Sequence, residues 1–352
     1  QKIEAYRRDG QFLWQVDMGP NSTDQNNIEG GSATIDVGHN DGVTVQDLDG
    51  DGRAEVAVRI ANGVTFGNGV RFTDSNNTRQ HIAILDGMTG APRATAPVPT
   101  DYLADGPMYA HFGVGYLDGV NPSLVAYMKN RVGNGGFNLM FTAWRFTGSA
   151  LTQQWKFLRG NQNLPDGHNT RIIDVDGDGR DEIAEIGFVL NGNGTLRYSL
   201  GPAGVVHGDR FHITDMDPSR PGLEGYGVQQ VNPSGLRDYY YDAATGNIIW
   251  RHVESGTADV GRGMAGDIDL VGLHSTMQPF VEQQVGRFRQ GLPRRETDQP
   301  LRQAQDRADP DDEERPGDDD PDQPREPGQP AVQEHREADD EQAARGQREG
   351  GA

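Results

Sequence analysis

The run Asp47-Leu-Asp-Gly-Asp-Gly-Arg-Ala-Glu55 returns further along the chain as Asp174-Val-Asp-Gly-Asp-Gly-Arg-Asp-Glu182. A looser copy is Asp215-Met-Asp-Pro-Ser-Arg-Pro-Gly-Leu-Glu224. A degenerate one opens at Asp118, and Asp267-Ile-Asp269 begins another. The first acids of successive copies are 71, 56, 41 and 52 residues apart. Self-similarity at such a period narrows the fold to propeller blades or solenoid units.

The flanks decide between these. A short β-branched run precedes each acidic loop, as in Val43-Thr-Val-Gln46, Arg171-Ile-Ile173 and Phe211-His-Ile-Thr214, and another follows it, as in Glu55-Val-Ala-Val-Arg59 and Glu182-Ile-Ala-Glu-Ile186. Hairpins turning on Asp-Gly or Thr-Gly come next, near Asp86-Gly87 and Thr245-Gly246. Such turns between alternating apolar residues are strong hairpin signals. No segment of residues 1–270 carries a 3.6-residue apolar period. The expected fold is therefore all-β, with a four-stranded antiparallel unit: inner strand, acidic loop, second strand, hairpin. That unit is a β-propeller blade. Four complete blades are expected near 36–98, 109–158, 168–201 and 206–253. Residues 1–17 would supply the outer hairpin of a preceding blade and 263–269 the inner strand of a following one. The alternative is a set of unrelated hairpins in a sandwich.

The acidic loops predict calcium as the cofactor. Asp47, Asp49, Asp51 and Glu55 fall at positions 1, 3, 5 and 9, and Arg53 at position 7 offers its backbone carbonyl. Asp174, Asp176, Asp178, Arg180 and Glu182 repeat that register, and Asp215, Asp217, Ser219 and Glu224 follow it more loosely. Alternating oxygens around one centre suit a hard cation that takes six to eight of them. Without a cation, adjacent carboxylates would repel one another. A solvated acidic turn is the plainer reading.

Histidines mark the opposite ends of the inner strands: His39, His111, His168 and His207 precede the acidic loops by six to eight residues. At about 3.3 Å per residue they would stand roughly 15 Å from the loops. Each is otherwise a structural histidine.

Composition splits the chain. The formal charge is −21, and there is no cysteine, so disulfides and thiolate chemistry are excluded. The acidic balance disfavours nucleic acid as a partner, and no apolar run approaches a membrane span. Residues 271–352 hold 20 acids, 11 arginines and no lysine, with little that could form a core. They are expected to be a disordered low-complexity tail behind a folded part spanning 1–270. The chain starts at Gln1, which suggests the interior of a longer precursor.

Several of these segments together resemble the rhamnogalacturonan lyases of polysaccharide lyase family eleven. They are the calcium loops, Tyr116-Leu-Asp-Gly-Val-Asn-Pro-Ser-Leu-Val125, His168-Asn169, His207-Gly-Asp-Arg-Phe-His212 with the loop from Asp215 to Glu224, and Asp259-Val-Gly-Arg-Gly-Met-Ala-Gly-Asp-Ile-Asp269. The resemblance implies an eight-bladed, secreted, calcium-dependent propeller acting on the rhamnose–galacturonate backbone of pectin, expected as a monomer. It also implies β-elimination: a base removes the C5 proton of galacturonate, and charge developing at the carboxylate is stabilised by a cation. On that footing Arg262 would clamp the carboxylate, or alternatively form a structural pair with Asp259. His207, Asp209 and His212 would hold a catalytic calcium or supply the base. His168, Asn169 and Asp259 would meet the sugar.

The pattern departs from the family after Asp269, where Leu270-Val-Gly-Leu runs into the tail. The abrupt, lysine-free switch suggests a shifted reading frame, leaving about half of the expected blades and an inactive or unstable fragment. Two other functions stay open: a non-catalytic calcium-stabilised propeller for adhesion, and a carbohydrate-binding propeller without chemistry.

Overall fold

The computed structural model describes residues 1–20, 42–76, 79–105, 108–132, 136–266 and 278–282. His39, Asp267, Asp269 and almost all of the 271–352 segment lie outside the described residues.

The regular structure of the described residues is almost all strand. A hairpin pairs β1 (Lys2–Tyr6) with β2 (Phe12–Asp17). Four four-stranded antiparallel meanders follow, each with its strands in sequence order. The first is β3 (Val43–Gln46), β4 (Glu55–Ala61), β5 (Gln80–Asp86) and β6 (Pro92–Pro97). The second is β7 (Tyr109–Gly115), β8 (Ser123–Val132), β9 (Gly136–Phe146) and β10 (Leu151–Leu158). A two-residue strand, β11 (Asp166–Gly167), precedes the third: β12 (Arg171–Ile173), β13 (Glu182–Glu185), β14 (Phe188–Leu190) and β15 (Leu196–Ser199). Another, β16 (His207–Gly208), precedes the fourth: β17 (Phe211–Thr214), β18 (Glu224–Val228), β19 (Leu236–Asp242) and β20 (Ile248–Val253). Last, β21 (Arg262–Gly266) pairs with β22 (Gln278–Glu282). That final partner lies past residue 270, where the sequence reading ends the folded part. Among the described residues no helix is long and apolar enough to cross a membrane.

The middle strands explain the stacking. A strand buried on both faces reads as a continuous apolar run, and Glu55-Val-Ala-Val-Arg-Ile-Ala61 is buried throughout. Successive side chains point to opposite sheet faces. Thus Ile82 and Ile84 of β5 join Leu124, Ala126 and Met128 of β8 in one core, while Ala83 and Leu85 join Trp14 and Val16 of β2 in another. On β9, Met140 and Trp144 face the first meander, and Leu139 and Phe141 pack with Phe188 and Leu190 of β14. Val189 turns the other way, toward Phe211 and Ile213 of β17. Each meander is therefore sandwiched between its chain neighbours.

A repeated polar contact fixes the spacing of these layers. The Trp14 indole on β2 donates to the Gly87 carbonyl at 3.0 Å, and the Trp155 indole on β10 donates to the Gly192 carbonyl at 2.9 Å. The Tyr198 hydroxyl on β15 donates to the Ala243 carbonyl at 2.7 Å. In each case the aromatic ring lies on the last strand of one sheet, and its acceptor lies in the final turn of the next. Glycines with positive φ admit the rings: a Cβ at Gly90, Gly194 or Gly246 would lie 2.7, 2.6 or 2.5 Å from the ring atoms. Between the first and second meanders Arg93 takes this place, 5.1 Å from the Phe146 ring centroid.

Candidate functional site

The two regular acidic loops have the same internal wiring. Asp47 accepts from the amides of Gly50 (2.7 Å) and Gly52 (2.8 Å), and Asp174 from those of Gly177 (2.7 Å) and Gly179 (2.8 Å). These donors hold both carboxyls below the ordinary range. Glu55 and Glu182 reach back to accept from the amides of Leu48 (2.9 Å) and Val175 (3.1 Å). Burial pushes both glutamates up, Glu182 to about 7. Carboxylate oxygens of Asp47, Asp49 and Glu55 lie within 4.8 Å of one another, as do those of Asp174, Asp176 and Glu182. Three hard oxygen donors around one point fit calcium. Asp51 and Asp178 stand outside these groups, each accepting from the amide two residues on, Arg53 or Arg180, at 2.8 Å.

Each loop also holds an arginine that motif spacing did not reveal. Arg93, second residue of β6, is 2.6 Å from Glu55 and 3.0 Å from Asp49. Arg197, second residue of β15, is 2.6 Å from Asp176 and 3.8 Å from Glu182. The matching position on two last strands was the available signal.

The third loop differs. Asp215, Asp217 and Glu224 form no such group of three carboxylates, and Ser219, at the position of Asp51 and Asp178, donates its hydroxyl to Asp217 (2.6 Å). Arg220, inside the loop, lies 3.8 Å from Glu224. The second meander's loop carries Asp118, tied to Asn121, whose side-chain oxygen meets Arg145 at 2.6 Å.

A different constellation forms between the third and fourth meanders. The tripeptides Asp166-Gly-His168 and His207-Gly-Asp209 read in opposite order. They run parallel, with Asp166 opposite His207 and Gly167 opposite Gly208. One Asp–His pair forms at each end. His207 Nδ1 is 2.5 Å from Asp166 Oδ1, and His168 Nε2 is 3.6 Å from Asp209 Oδ1. The glycines make the approach possible, since a Cβ at Gly208 would lie 2.1 Å from the Val228 carbonyl oxygen and one at Gly167 2.7 Å from Glu185 Oε1. His168, His207 and Asp209 each bring one ligating atom within 4.8 Å of the others.

Charge around this cluster is specific. Arg159 donates to Asp166 at 2.7 Å and to the Phe137 carbonyl at 3.1 Å. Burial works against ionisation of Asp166, but His207 and Arg159 outweigh it and hold the carboxyl below its usual range. The Phe137 ring stacks on His207, centroids 6.2 Å apart, and Lys129 Nζ lies 3.8 Å from the Phe137 centroid. Burial, then the Lys129 charge, lowers His168 to about 4, so its imidazole is neutral at neutral pH. Beneath Gly167 lies Glu185, fully buried, with neither oxygen in a hydrogen bond of good geometry. Burial pushes its carboxyl up, against the pull of Lys129.

The remaining site candidates are spread out. Asn169 donates to the Asp209 carbonyl at 2.7 Å, bracing the cluster from the side. His212 is not part of it: its Nε2 lies 3.0 Å from the Gly263 carbonyl, so it ties β17 to β21, and His168 takes the third place instead. Arg262 and Asp259 are both exposed, and no ion pair joins them among the described residues.

The sequence pattern of "Rhamnogalacturonan lyase family 11, C-terminal domain" matches residues 1–91 and 106–279. The chain belongs to rhamnogalacturonan lyase family 11. Within that family it is 34% identical over 296 residues to rhamnogalacturonan endolyase YesW of Bacillus subtilis. It is 35% identical over 300 residues to rhamnogalacturonan exolyase YesX of the same organism. Each alignment covers 76% of this chain and 44% of the relative, so the chain spans under half the length of these curated family members. Solved family structures superpose well. The YesW crystal structure gives a TM-score of 0.65 at 31% identity, covering 79% of this chain and 48% of that one. A family 11 lyase of Bacillus licheniformis gives 0.66 at 30% identity, covering 80% and 49%.

Proposed function

We propose that this chain is the calcium-stabilised propeller part of a secreted, monomeric polysaccharide lyase that cleaves the rhamnose–galacturonate backbone of rhamnogalacturonan I by β-elimination. Its four meanders are read as blades of an eight-bladed ring. Stacked meanders with acidic loops all following the inner strand support that reading. The observation that carries the function is the meeting of His168, His207 and Asp209 on paired, glycine-spaced tripeptides beside the inner strands.

In this reading the cluster receives the galacturonate. The neutral imidazole of His168 accepts the C5 proton, a task suited to a base that is uncharged at working pH. The electrons left at C5 form the new C4–C5 double bond as the C4–oxygen bond breaks, leaving an unsaturated uronate. His207 and Asp209 would hold a divalent cation, which when bound would offset charge on the uronate carboxylate. Arg262, exposed on the next sheet, offers a guanidinium for an anionic uronate. The acidic loops play a separate, structural part.

An adhesion or purely carbohydrate-binding propeller is the competing reading. A shielded Asp–His pair serves neither, which favours the lyase. The test is ultraviolet absorbance, because the unsaturated product absorbs and the substrate does not. Incubating the protein with rhamnogalacturonan I should raise the absorbance with calcium and not with chelator. Binding without any rise, from a chain extended to the relatives' length, would remove the lyase reading.

A further inference from the structure

The geometry points to Asp166, braced by Arg159, as a positioning residue that locks His207 in the Nδ1–H tautomer and presents its bare Nε2 to His168 and Asp209. The inference deepens the reading of the site given above. The two ends of the paired tripeptides are unequal. At one end Asp166 and His207 meet at 2.5 Å, their side chains 11% and 19% exposed. At the other, His168 and Asp209 stand 3.6 Å apart, 45% and 24% exposed. The first pair is closed and the second open, although the same residue types form both.

Three further contacts remove the freedom of the closed pair. Arg159 occupies the second oxygen of Asp166 and is itself anchored on the Phe137 carbonyl. Phe137 lies nearly parallel to the imidazole, at 12°. The parallel pairing fixes the backbone of both residues in register. An ionised carboxylate only accepts hydrogen bonds, so the proton between the two must sit on Nδ1. In the neutral imidazole the other ring nitrogen is then a lone-pair donor, available to a cation or to a proton. A carboxylate behind an imidazole in this way orients the ring and raises its basicity. Removing one typically costs 10–100-fold in metal affinity or activity. His168 lacks such a carboxylate at hydrogen-bonding distance, so the two imidazoles of the cluster are chemically distinct.

The test is histidine 15N–1H long-range correlation NMR on the full chain at pH 7.5, without substrate or metal. His207 should show a protonated Nδ1 and a bare Nε2. Asp166→Ala should move the proton to Nε2, the tautomer free imidazole prefers, and Asp166→Glu should restore part of the original signal. Manganese titration should broaden the His207 and His168 resonances in the wild type, at 10–100-fold higher metal concentration in Asp166→Ala. A wild-type His207 already protonated at Nε2 overturns the proposal, as does an Asp166→Ala tautomer equal to that of wild type. If Asp166→Ala does not fold, the isosteric Asp166→Asn replaces it, and the wild-type spectrum decides by itself. A correct tautomer in a full-length protein that cleaves nothing would leave this assignment standing and remove the lyase reading.

Discussion

Arg93 and Glu55 meet at 2.6 Å across the first meander, joining its last strand to the residue that closes its acidic loop. The pair is mostly hidden, with Glu55 at 1% exposure. In the absence of a cation, Arg93 offsets the carboxylates. Arg93→Gln should therefore lower the melting temperature in chelator by several degrees, as expected for about 1–2 kcal/mol in a small protein. Millimolar calcium should close most of the gap. Differential scanning calorimetry with and without chelator checks this; an equal loss in both conditions would mean that Arg93 acts by packing on Phe146.

The loops also predict which acids matter. Asp49→Asn and Asp176→Asn should each reduce the thermal gain on adding calcium, because each removes the charge of one of three converging carboxylates. Asp217→Asn should leave that gain unchanged, since its carboxylate serves Ser219. Calcium titration calorimetry on the three variants separates these outcomes.

Glycine 90 sits at φ +64 with a would-be Cβ 2.7 Å from the Trp14 ring. Gly90→Ala combines left-handed strain with a clash on a packed indole and should cost about 2–4 kcal/mol. Gly69→Ala is the control: its φ is +81, but nothing lies within 4 Å of the added carbon. It should cost only about 1–2 kcal/mol. Urea unfolding midpoints of the two variants give the comparison.

Glu185 predicts a pH effect of definite sign. Burial raises its carboxyl above the unfolded value, so above that value the native state binds a proton that the unfolded chain has lost. Its contribution then falls as pH rises toward the folded value. Glu185→Gln keeps the neutral shape and should leave stability nearly unchanged near pH 4.5. At pH 8 it should raise stability by about 1 kcal/mol or more. Urea denaturation at the two pH values measures it. A loss at both would identify Glu185 as the ionised partner of Lys129.

Much of this architecture was legible because one residue pattern does several jobs. Arg171–Ile173 and Phe211–Thr214 fall where the β-branched runs before the acidic loops placed them, and β7 to β10 cover 109–158 as expected. Regular spacing exposes acids that share one loop, so the meeting of Asp47, Asp49 and Glu55 could be read directly. It cannot expose partners from another strand, and Arg93 and Arg197 went unseen for that reason. Asp166 was missed although its signal was present: Asp-Gly-His and His-Gly-Asp are complementary only when set side by side in parallel. The family resemblance put His212 beside His207 and Asp209, but alternation along β17 aims it at β21.

The aromatic contacts between layers have a direction. The ring always belongs to the earlier sheet, and the carbonyl it meets always belongs to the final turn of the later one. A ribosome releases these parts in the same order. Each finished sheet thus offers a waiting donor to a hairpin that emerges after it, and that hairpin's last strand then carries the next donor. This order of parts suits assembly from the amino end, like a zip, with each layer completed by the arrival of its successor.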